Sequence, residues 1–309
     1  MKEAFRSMTD LGLSPSHSGK VRETLDLGDR LLLVTTDRIS AFDCILPTLI
    51  PGKGILLNEI SAWWFRGLEP HLPTHFLSDQ DSDFPADLKP LLPELRGRWM
   101  LARKAKRIDV ECVVRGYLAG SAIEEYARKG TIGGMSAPPG IAPYGKLPAP
   151  LFTPTTKEEV GHDRPVTLEE LSDIVGSELA ERLREASLRV YDLAERYARA
   201  RGLLLVDTKF EFGWIDGRLS LIDEALTPDS SRYWDGARSA SPPDPLDKEY
   251  VRAWLKTLDW DRNPPAPALP PEQVAETYRR YRLVHDRLGA SGPPPRLGGE
   301  ASGTGGGAR

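Results

Sequence analysis

The sequence predicts an α+β protein of about two domains, from its length and from the order of its periodic segments. The chain has 309 residues, about twice the length of a typical domain. Strand-like apolar runs dominate the first third, and two helical patterns and a β-hairpin follow after residue 165. The sequence therefore predicts strands and helices in one fold, and it contains no internal repeat.

Composition predicts a globular protein without a broad nucleic-acid-binding face. Charged residues make up 28% of the chain, apolar residues 40%, and the net charge is -4; a face for nucleic acid normally needs a basic balance. No apolar run approaches the ~20 residues of a membrane span, and no signal peptide is apparent. We expect a cytoplasmic protein whose two cysteines, Cys44 and Cys112, are buried free thiols.

The first domain is predicted over residues 1–110 and is rich in strands. Two strands are expected in residues 21–36 around Gly28-Asp29, and the apolar run Leu31 to Val34 indicates burial on both faces. The remaining predicted segments are a loop from Pro51 to Gly54, a helix from Asn58 to Trp64, a Pro-rich loop over 70–93, and a strand pair from Trp99 to Tyr117.

The second domain is predicted over residues 111–288. Its Gly/Pro-rich stretch 130–154 reads as a long irregular segment, either functional or disordered. Thr167 and Glu170 form a capping box before a first helix. The helices that follow are an amphipathic one ending at Gly202, one over Lys248 to Leu258 and one over Glu272 to Leu288, and residues 289–309 read as a disordered tail.

Alternating charges mark the strand that begins the hairpin. Alternate residues share a strand face, so Asp207, Lys209 and Glu211 point one way. The core face carries the remaining side chains, which are Thr208, Phe210 and Phe212. A solvated polar face would explain such a strand on its own, but a second acidic pair, Asp223-Glu224, returns on the partner strand.

Hairpin register decides which of those two acids faces Lys209. A two-residue turn at Asp216-Gly217 places Glu224 opposite Lys209, whereas a three-residue loop that includes Ile215 places Asp223 there. In the second register Glu211 and Asp223 would lie ~7–8 Å apart on the diagonal. Two carboxylates at that spacing can converge on one Mg²⁺, so we favour the three-residue loop.

Six segments in order along the chain resemble the SAICAR synthetase family. They are Gly19-Lys20-Val21-Arg22, Thr36 to Asp43, Arg115-Gly116-Tyr117-Leu118-Ala119-Gly120-Ser121, Lys146 to Lys157, Asp207 to Gly213, and Ile222 to Trp234. The resemblance implies an ATP-grasp-like fold, with a smaller N-terminal β-rich domain, a larger α+β domain and ATP between them. It also implies a ligase that uses ATP and Mg²⁺ to join L-aspartate to a carboxylated aminoimidazole ribotide through an acyl phosphate.

The same resemblance implies roles for individual residues. Glu211 and Asp223 would hold Mg²⁺, and Lys20, Lys209 and Glu211 would contact ATP, so that Lys209, Glu211 and Asp223 form the catalytic set. The residues implied at the ribotide are Arg115, Ser121 and Arg232. Arg38 and Asp43 are implied to face a substrate, and Asp229 is implied either to hydrogen-bond the substrate or to act at the metal. No role follows for His162-Asp163, and the resemblance identifies no residue that binds aspartate.

Structural roles remain open for several of these residues. Ser121 with Glu124 forms a capping box, Arg38 and Asp43 would make a structural ion pair, and Asp229 is a natural turn residue after Pro228. Two other functions also remain open, a kinase-like phosphotransferase and an inactive nucleotide-binding module, although the sequence has no HRD or DFG arrangement. Partners are expected to be small molecules, and a homo-oligomer is compatible with the sequence.

Overall fold

The computed structural model describes residues 4–157, 164–237 and 241–297. The strands are β1 (His17–Ser18), β2 (Arg22–Asp26), β3 (Arg30–Thr35), β4 (Ser40–Ala41), β5 (Cys44–Ile45), β6 (Phe76–Ser78), β7 (Trp99–Arg103), β8 (Lys106–Tyr117), β9 (Thr131–Ile132), β10 (Met135–Ser136), β11 (Lys146–Phe152), β12 (Thr155–Thr156), β13 (Leu203–Ile215), β14 (Arg218–Ile222) and β15 (Ser231–Asp235). The helices are α1 (Lys53–Leu68), α2 (Leu92–Leu95), α3 (Ser121–Lys129), α4 (Leu168–Val175), α5 (Ser177–Arg199), α6 (Glu249–Leu255) and α7 (Pro271–Leu288), with short 3-10 turns at Met8–Leu11, Asp81–Asp83 and Ala86–Leu91. Strands and helices thus coexist, as the α+β prediction states.

The first sheet is antiparallel and has the order β1-β2-β3-β7-β6. Its central strand β3 is buried on both faces, as the apolar run predicts. Leu33 belongs to the largest core cluster, whereas Leu32 and Val34 belong to a separate cluster that includes Met8 and Trp99. The two-sided burial of β3 explains why its sequence shows no alternation of apolar and polar residues.

Helix α1 begins at Lys53, inside the segment predicted as a loop, and not at Asn58. The signal that starts it is remote in sequence. Gly52 adopts a left-handed conformation with φ 82°, and the buried carboxylate of Asp37 accepts a hydrogen bond from the Gly54 backbone at 2.8 Å. That carboxylate supplies an acceptor to one of the orphan donors at the helix N-terminus.

The second sheet has the path β11-β8-β13-β14, with β12 also paired to β8 and β15 to β13. Helix α5 packs on β8 and β13 and covers one face of this sheet. Close approach depends on Gly116, because a Cβ there would lie 1.9 Å from the Tyr191 hydroxyl. That hydroxyl donates to the Leu205 carbonyl at 2.6 Å, which fixes the helix to the central strand β13.

Residues 130–154 are more regular than predicted, since they contain β9, β10 and β11. Strand β11 forms one end of the path of the second sheet and includes Pro148 and Pro150. Proline cannot donate a backbone hydrogen bond, so it is tolerated on edge strands. The prolines that suggested an irregular loop are therefore compatible with an edge strand.

The two sheets meet where the segment before β6 reaches β14. The backbone of Leu221 donates to Pro73 at 2.9 Å and accepts from His75 at 3.0 Å. Between Arg103 and Lys106 the chain passes from the first sheet to the second, so the domain boundary proposed near residue 110 falls within β8. This junction forms one wall of the cavity described below.

The prediction of a disordered tail from Gly289 is wrong for residues 289–297. Ala290 is buried, and the Pro293 carbonyl accepts a hydrogen bond of 2.8 Å from the indole of Trp63 on α1. The remainder of that predicted tail, and His162-Asp163, lie outside the described residues. In the part of the chain that the structure describes, no helix is long and apolar enough to cross a membrane.

Candidate active site

A cavity of about 950 Å³ lies between the two sheets. Such a volume is at the upper end of the range of small-molecule sites, roughly 300–1,000 Å³. Its lining combines residues of the first sheet, such as Arg22 and Leu33, with residues of the second, such as Arg115 and Lys209. We call it the central cavity.

Strand β13 presents its charged face to the central cavity. Asp207, Lys209 and Glu211 all line it, as the alternation predicts. Phe210 and Phe212 are 1% and 0% exposed and belong to the main core cluster on the other face. Thr208 is also buried, and its hydroxyl hydrogen-bonds that of Ser231 at 2.8 Å. The charged face of this strand therefore faces the central cavity.

The favoured register of the β13–β14 hairpin is wrong. Ile215 pairs with Arg218 and Glu211 pairs with Ile222, so the connection is the two-residue turn Asp216-Gly217. Both turn residues have positive φ, 48° and 72°, which is the geometry of a type I′ turn and matches the right-handed twist of the strands. Consequently Asp223 does not lie on the diagonal from Glu211 that the three-residue loop would create.

Asp223 nevertheless lines the same cavity as Glu211. Strand β14 ends at Ile222, and Asp223 itself has a φ of 65°, which takes the chain out of the sheet. Three cations act on the Asp223 carboxylate, and all three also line the cavity. Burial opposes ionisation, but Arg22, Lys209 and Lys157 outweigh it and lower the pKa of Asp223.

Lysines and carboxylates alternate around Glu211. Its carboxylate accepts from Lys157 at 2.5 Å, and Lys209 lies 3.4 Å away. Lys209 also donates to Glu111 on β8. Burial would lower the pKa of Lys209, but the carboxylates of Glu211 and Glu111 outweigh it and raise that pKa, so Lys209 is a permanent cation near neutral pH.

Two arginines share one carboxylate at the other end of the strand's charged face. Arg115 on β8 lies 3.2 Å from Asp207, and Arg232 on β15 donates to the same Asp207 oxygen. Asp207 raises the pKa of Arg232, whereas burial lowers the pKa of Arg115. Asp247 and Glu249 also act on Arg232, but two guanidinium groups hydrogen-bonded to one carboxylate oxygen keep unused donors that suit an anion.

Two predicted substrate residues, Ser121 and Arg38, do not line the central cavity. Ser121 is the first residue of α3, whose cap is Gly120 with φ 59°, and no side-chain capping bond forms; the predicted capping box of Ser121 and Glu124 is therefore wrong. Arg38 donates to the buried carboxylate of Glu23 at 2.8 Å.

Lys20, which the resemblance places at the nucleotide, lines the cavity and forms an exposed ion pair with Asp43. The expected pairing of Arg38 with Asp43 is thus replaced by two other pairs, Arg38 with Glu23 and Lys20 with Asp43. Lys20 keeps about half of its side chain exposed, at 51%. It is therefore accessible from the cavity, in keeping with its implied contact with a nucleotide.

Asp229 is held in a buried network at the cavity wall. Its carboxylate accepts from Lys53 at 2.8 Å and from the Tyr281 hydroxyl at 2.7 Å. Burial opposes ionisation, but Lys248 and Lys53 outweigh it and lower the pKa of Asp229 strongly. Asp229 lies in the turn after Pro228, as predicted, and its two carboxylate oxygens contact Lys53 of α1 and Tyr281 of α7.

Several cavity residues received no role from the sequence, namely Arg22, Glu111, Lys157, Asp247 and Lys248. Arg22 and Lys157 lie within segments that carry the family resemblance, so those segments were the available signal. Glu111 lies opposite Glu211 in the β8–β13 pairing, which no local pattern indicates. Asp247 and Lys248 precede a short helix in an otherwise unremarkable stretch.

Comparison with known proteins identifies one family. A model of the SAICAR synthetase family matches residues 15–267. A phosphoribosylaminoimidazole-succinocarboxamide synthase of Pelobacter propionicus is 47% identical over 280 residues, which cover 90% of this chain and 95% of that protein. The family match contains both sheets and the residues that line the central cavity.

Solved structures agree with that match. A SAICAR synthase from Saccharomyces cerevisiae complexed with SAICAR is similar with a TM-score of 0.83 and 33% identity, covering 94% of this chain and 99% of that one. A SAICAR synthetase in complex with ADP has a TM-score of 0.67 and 22% identity, covering 90% and 99%. The second likeness concerns the fold alone.

Proposed function

The chain belongs to the SAICAR synthetase family, and from this premise we propose that its central cavity joins L-aspartate to 5-amino-1-(5-phospho-D-ribosyl)imidazole-4-carboxylate. The reaction consumes ATP and gives the succinocarboxamide, ADP and phosphate. One observation carries the assignment to this cavity. The face of β13 that bears Asp207, Lys209 and Glu211 lines it, opposite residues of the first sheet.

We assign the nucleotide to the space between the sheets, as in an ATP-grasp-like arrangement. Lys209, Lys157 and Lys20 line this part of the cavity and supply positive charge for a triphosphate. One solved structure of the same fold is a complex with ADP, which is compatible with a nucleotide site in this fold. Phosphoryl transfer depends mainly on positioning and on neutralising charge, which these lysines would provide.

Glu211 and Asp223 fit a magnesium ion that also binds phosphates. Both carboxylates line the cavity, and both are balanced by cations, Lys157 for Glu211 and Arg22 for Asp223. Within the described ranges, no three His, Cys, Asp or Glu residues form a group that could hold a metal. Mg²⁺ is usually bound by one or two carboxylates plus substrate phosphates, and when bound it would neutralise the charge of the transferring phosphoryl group.

The ribotide is assigned to the arginines around Asp207. Arg115 and Arg232 present forked donors that suit a phosphate or a carboxylate. Their shared partner Asp207 holds both guanidinium groups in place before the substrate arrives. Such preorganisation lowers the entropy that must be lost when the substrate is oriented.

The proposed chemistry has two steps. A carboxylate oxygen of the ribotide attacks the γ-phosphorus, and the bond from that phosphorus to ADP breaks. The amine of aspartate, after losing a proton, attacks the acyl carbon, so that a C–N bond forms and the C–O bond to phosphate breaks. Phosphorylation is needed because a carboxylate is a poor electrophile, and phosphate is a good leaving group.

Product analysis tests this function. The purified chain is mixed with ATP, Mg²⁺, L-aspartate and the carboxylated ribotide, and products are identified by mass spectrometry. We expect succinocarboxamide, ADP and phosphate in equal amounts, and none when aspartate is omitted. A stable phosphorylated ribotide formed without aspartate would instead indicate a phosphotransferase, and no reaction in any mixture would refute the proposal.

A further inference from the structure

Two cations beside α6 line the central cavity and have no role in the reaction described so far. Lys248 immediately precedes α6 and has helical dihedral angles, φ -58° and ψ -19°, and Arg252 follows four positions later. Residues four apart in helical conformation lie on the same face. Both side chains line the central cavity, and we refer to them as the α6 cations.

The Lys248 ammonium is largely buried but under-bonded. Its side chain is 12% exposed, and the nearest carboxylate oxygen, on Asp229, is 3.7 Å away. That distance is beyond a hydrogen bond. Among the described residues the Lys248 ammonium makes no hydrogen bond, so its three donors are available to a ligand in the cavity.

Asp229 is shared between two lysines. Lys53 lies 2.8 Å from one oxygen, and the Tyr281 hydroxyl lies 2.7 Å from the other, so Lys248 interacts with this carboxylate only at the longer distance of 3.7 Å. Lys53 is 0% exposed and Asp229 3%, so this pair is fixed within the protein. The two lysines therefore carry one more positive charge than the carboxylate they share.

The surroundings of Lys248 favour an added anion. Burial is the main cause that lowers the pKa of Lys248 to about 8. The Asp229 and Glu224 carboxylates oppose that shift, whereas the charges of Arg252 and Lys53 add to it. An anion bound beside Lys248 would relieve that repulsion. A desolvated cation with unused donors is costly for a protein to keep, and a ligand carboxylate would offset the cost.

Arg252 also has donors to spare. Its closest carboxylate oxygen, on Glu249, is 3.7 Å away, and that residue lies nearer to Lys256, at 3.0 Å. The Arg252 side chain is 33% exposed. An ammonium and a guanidinium on one helix face can together bind the two oxygens of a carboxylate.

The α6 cations adjoin the arginines assigned to the ribotide. Arg232 lies 3.9 Å from Glu249, the residue between the α6 cations in sequence. The lysines assigned to the nucleotide are bonded to a different set of carboxylates, Asp43, Glu111 and Glu211. The amine of the second substrate must be bound beside the ribotide carboxylate. The α6 cations border the arginines assigned to the ribotide, so they lie at such a position.

We infer that Lys248 and Arg252 bind a carboxylate of the amino-acid substrate and select a dicarboxylic amino acid over its amides. This inference rests on the proposed ligase function and adds the residues that recognise its second substrate. Selection follows because a neutral amide would leave the excess positive charge of the α6 cations unbalanced. Sites built for a polar partner reject analogues that lack it far more strongly than apolar pockets do.

Steady-state kinetics of two variants test the inference. Lys248→Met keeps the length of the side chain without its charge, and Arg252→Gln removes the guanidinium. We expect each to raise the apparent KM for aspartate by about tenfold to a hundredfold, with those for ATP and the ribotide changed by less than about twofold. Succinate is a dicarboxylate without the amine. Its inhibition constant should rise by the same factor as the apparent KM for aspartate.

Lys89→Met is the matched control. It removes an exposed lysine that lies outside the cavity lining. We expect it to leave all three apparent KM values unchanged. The unmodified chain should use asparagine far less well than aspartate, and Lys248→Met should reduce that discrimination.

Two results would overturn the inference. One is an unchanged KM for aspartate in both variants, and the other is a rise confined to the ribotide or ATP. If thermal melting shows that Lys248→Met does not fold, Arg252→Gln and the charge-conserving Lys248→Arg decide the matter. In that case the first must weaken succinate inhibition and the second must largely retain it.

Failure of the ligase proposal itself gives a different pattern. An unmodified chain that makes no succinocarboxamide refutes the proposed function, whatever the variants do. Calorimetric titration of the chain with succinate, with ATP and Mg²⁺ present, then tests the site without turnover. Binding that Lys248→Met abolishes supports the carboxylate site, and binding unaffected by it, or none, refutes that site.

Discussion

Arg22 and Asp223 are separated by 201 positions, yet the guanidinium of Arg22 donates to the carboxylate of Asp223. Arg22 lies on β2 of the first sheet, and Asp223 follows β14 of the second. The same guanidinium lies 3.2 Å from Glu224. One arginine therefore joins the two sheets at the place where we assign the metal.

Replacing Arg22 with lysine tests that connection. A single ammonium cannot hold two carboxylates in the forked geometry of a guanidinium. We expect Arg22→Lys to lower the free energy of unfolding by about 1–3 kcal/mol, less than for a fully buried pair because Asp223 is 38% exposed. Urea unfolding measures the change, and a loss equal to that of the surface variant Arg96→Lys would contradict it.

Neutralising the carboxylates assigned to magnesium should reduce turnover and not folding. Glu211→Gln and Asp223→Asn keep side-chain shape, so we expect kcat to fall by roughly a hundredfold or more, with a higher Mg²⁺ concentration needed for half-maximal rate. Thermal melting checks that both variants fold. The surface variant Asp192→Asn should behave as the unmodified chain does, and normal rates in both site variants would exclude the metal assignment.

The buried pair of Lys53 and Asp229 should matter mainly for stability. Lys53→Met removes the hydrogen-bonded cation of the Asp229 carboxylate and leaves Lys248, 3.7 Å away, as its counter-charge. We therefore expect a loss smaller than the ~3–5 kcal/mol of an uncompensated buried charge. We expect the double variant Lys53→Met/Asp229→Leu to recover part of that loss, since neither charge remains buried alone. Denaturant unfolding measures the free energy of unfolding of the double variant and of each single variant, Lys53→Met and Asp229→Leu. A loss in the double variant larger than the sum of the two single losses would contradict this account.

Arg115→Ala should affect the ribotide more than the nucleotide. Arg115 contacts Asp207 and donates to Thr153 at 3.1 Å, and it is assigned to the ribotide. We expect its removal to raise the apparent KM of the ribotide about tenfold or more, with that of ATP changed by less than about twofold. Equal increases for both substrates would indicate a general structural effect.

Succinate inhibition should depend on pH through Lys248. A lysine whose pKa is lowered to about 8 is charged below that pH and neutral above it, so carboxylate binding should be strongest below pH 8 and weaken as pH rises. Succinate has no amine to titrate, and its carboxylates remain ionised throughout. We expect its inhibition constant to increase between about pH 7.5 and 9.5, and the increase to be absent in Lys248→Arg.

The groups around Lys248 do not produce that profile themselves. They are Asp247, Asp229, Glu224, Lys53, Arg252 and Tyr281. Burial raises the pKa of Asp247 to about 7, so it is mostly ionised before the range begins, and burial raises the pKa of Tyr281 well above its usual value. A flat profile in the unmodified chain would contradict the role given to Lys248.

Local patterns predicted most elements because those elements are built from local interactions. The capping box of Thr167 and Glu170 forms as expected, and the alternation in β13 separates the charged face from the core. The start of α1 was missed because its capping carboxylate, on Asp37, lies well before it in sequence. Helix starts that depend on remote acceptors leave no local signal.

The site was predicted in type but not in geometry. The alternation correctly places Lys209 and Glu211 on one face of the strand. The predicted register is wrong because Asp216-Gly217 forms a two-residue type I′ turn, and the metal diagonal requires a three-residue loop. Asp223 reaches the cavity through a left-handed residue after the strand, not through the sheet. Arg38 and Ser121 are implied at a substrate by motif position, but neither lines the cavity: Arg38 donates to Glu23, and Ser121 begins α3.

Transfer of an oxygen atom tests the central claim most directly. The ribotide is prepared with oxygen-18 in its carboxylate and converted with unlabelled ATP and aspartate, and the released phosphate is analysed by mass spectrometry. If the carboxylate is activated by phosphorylation in this cavity, each phosphate carries one oxygen-18 from the carboxylate. Phosphate without the label would contradict the account.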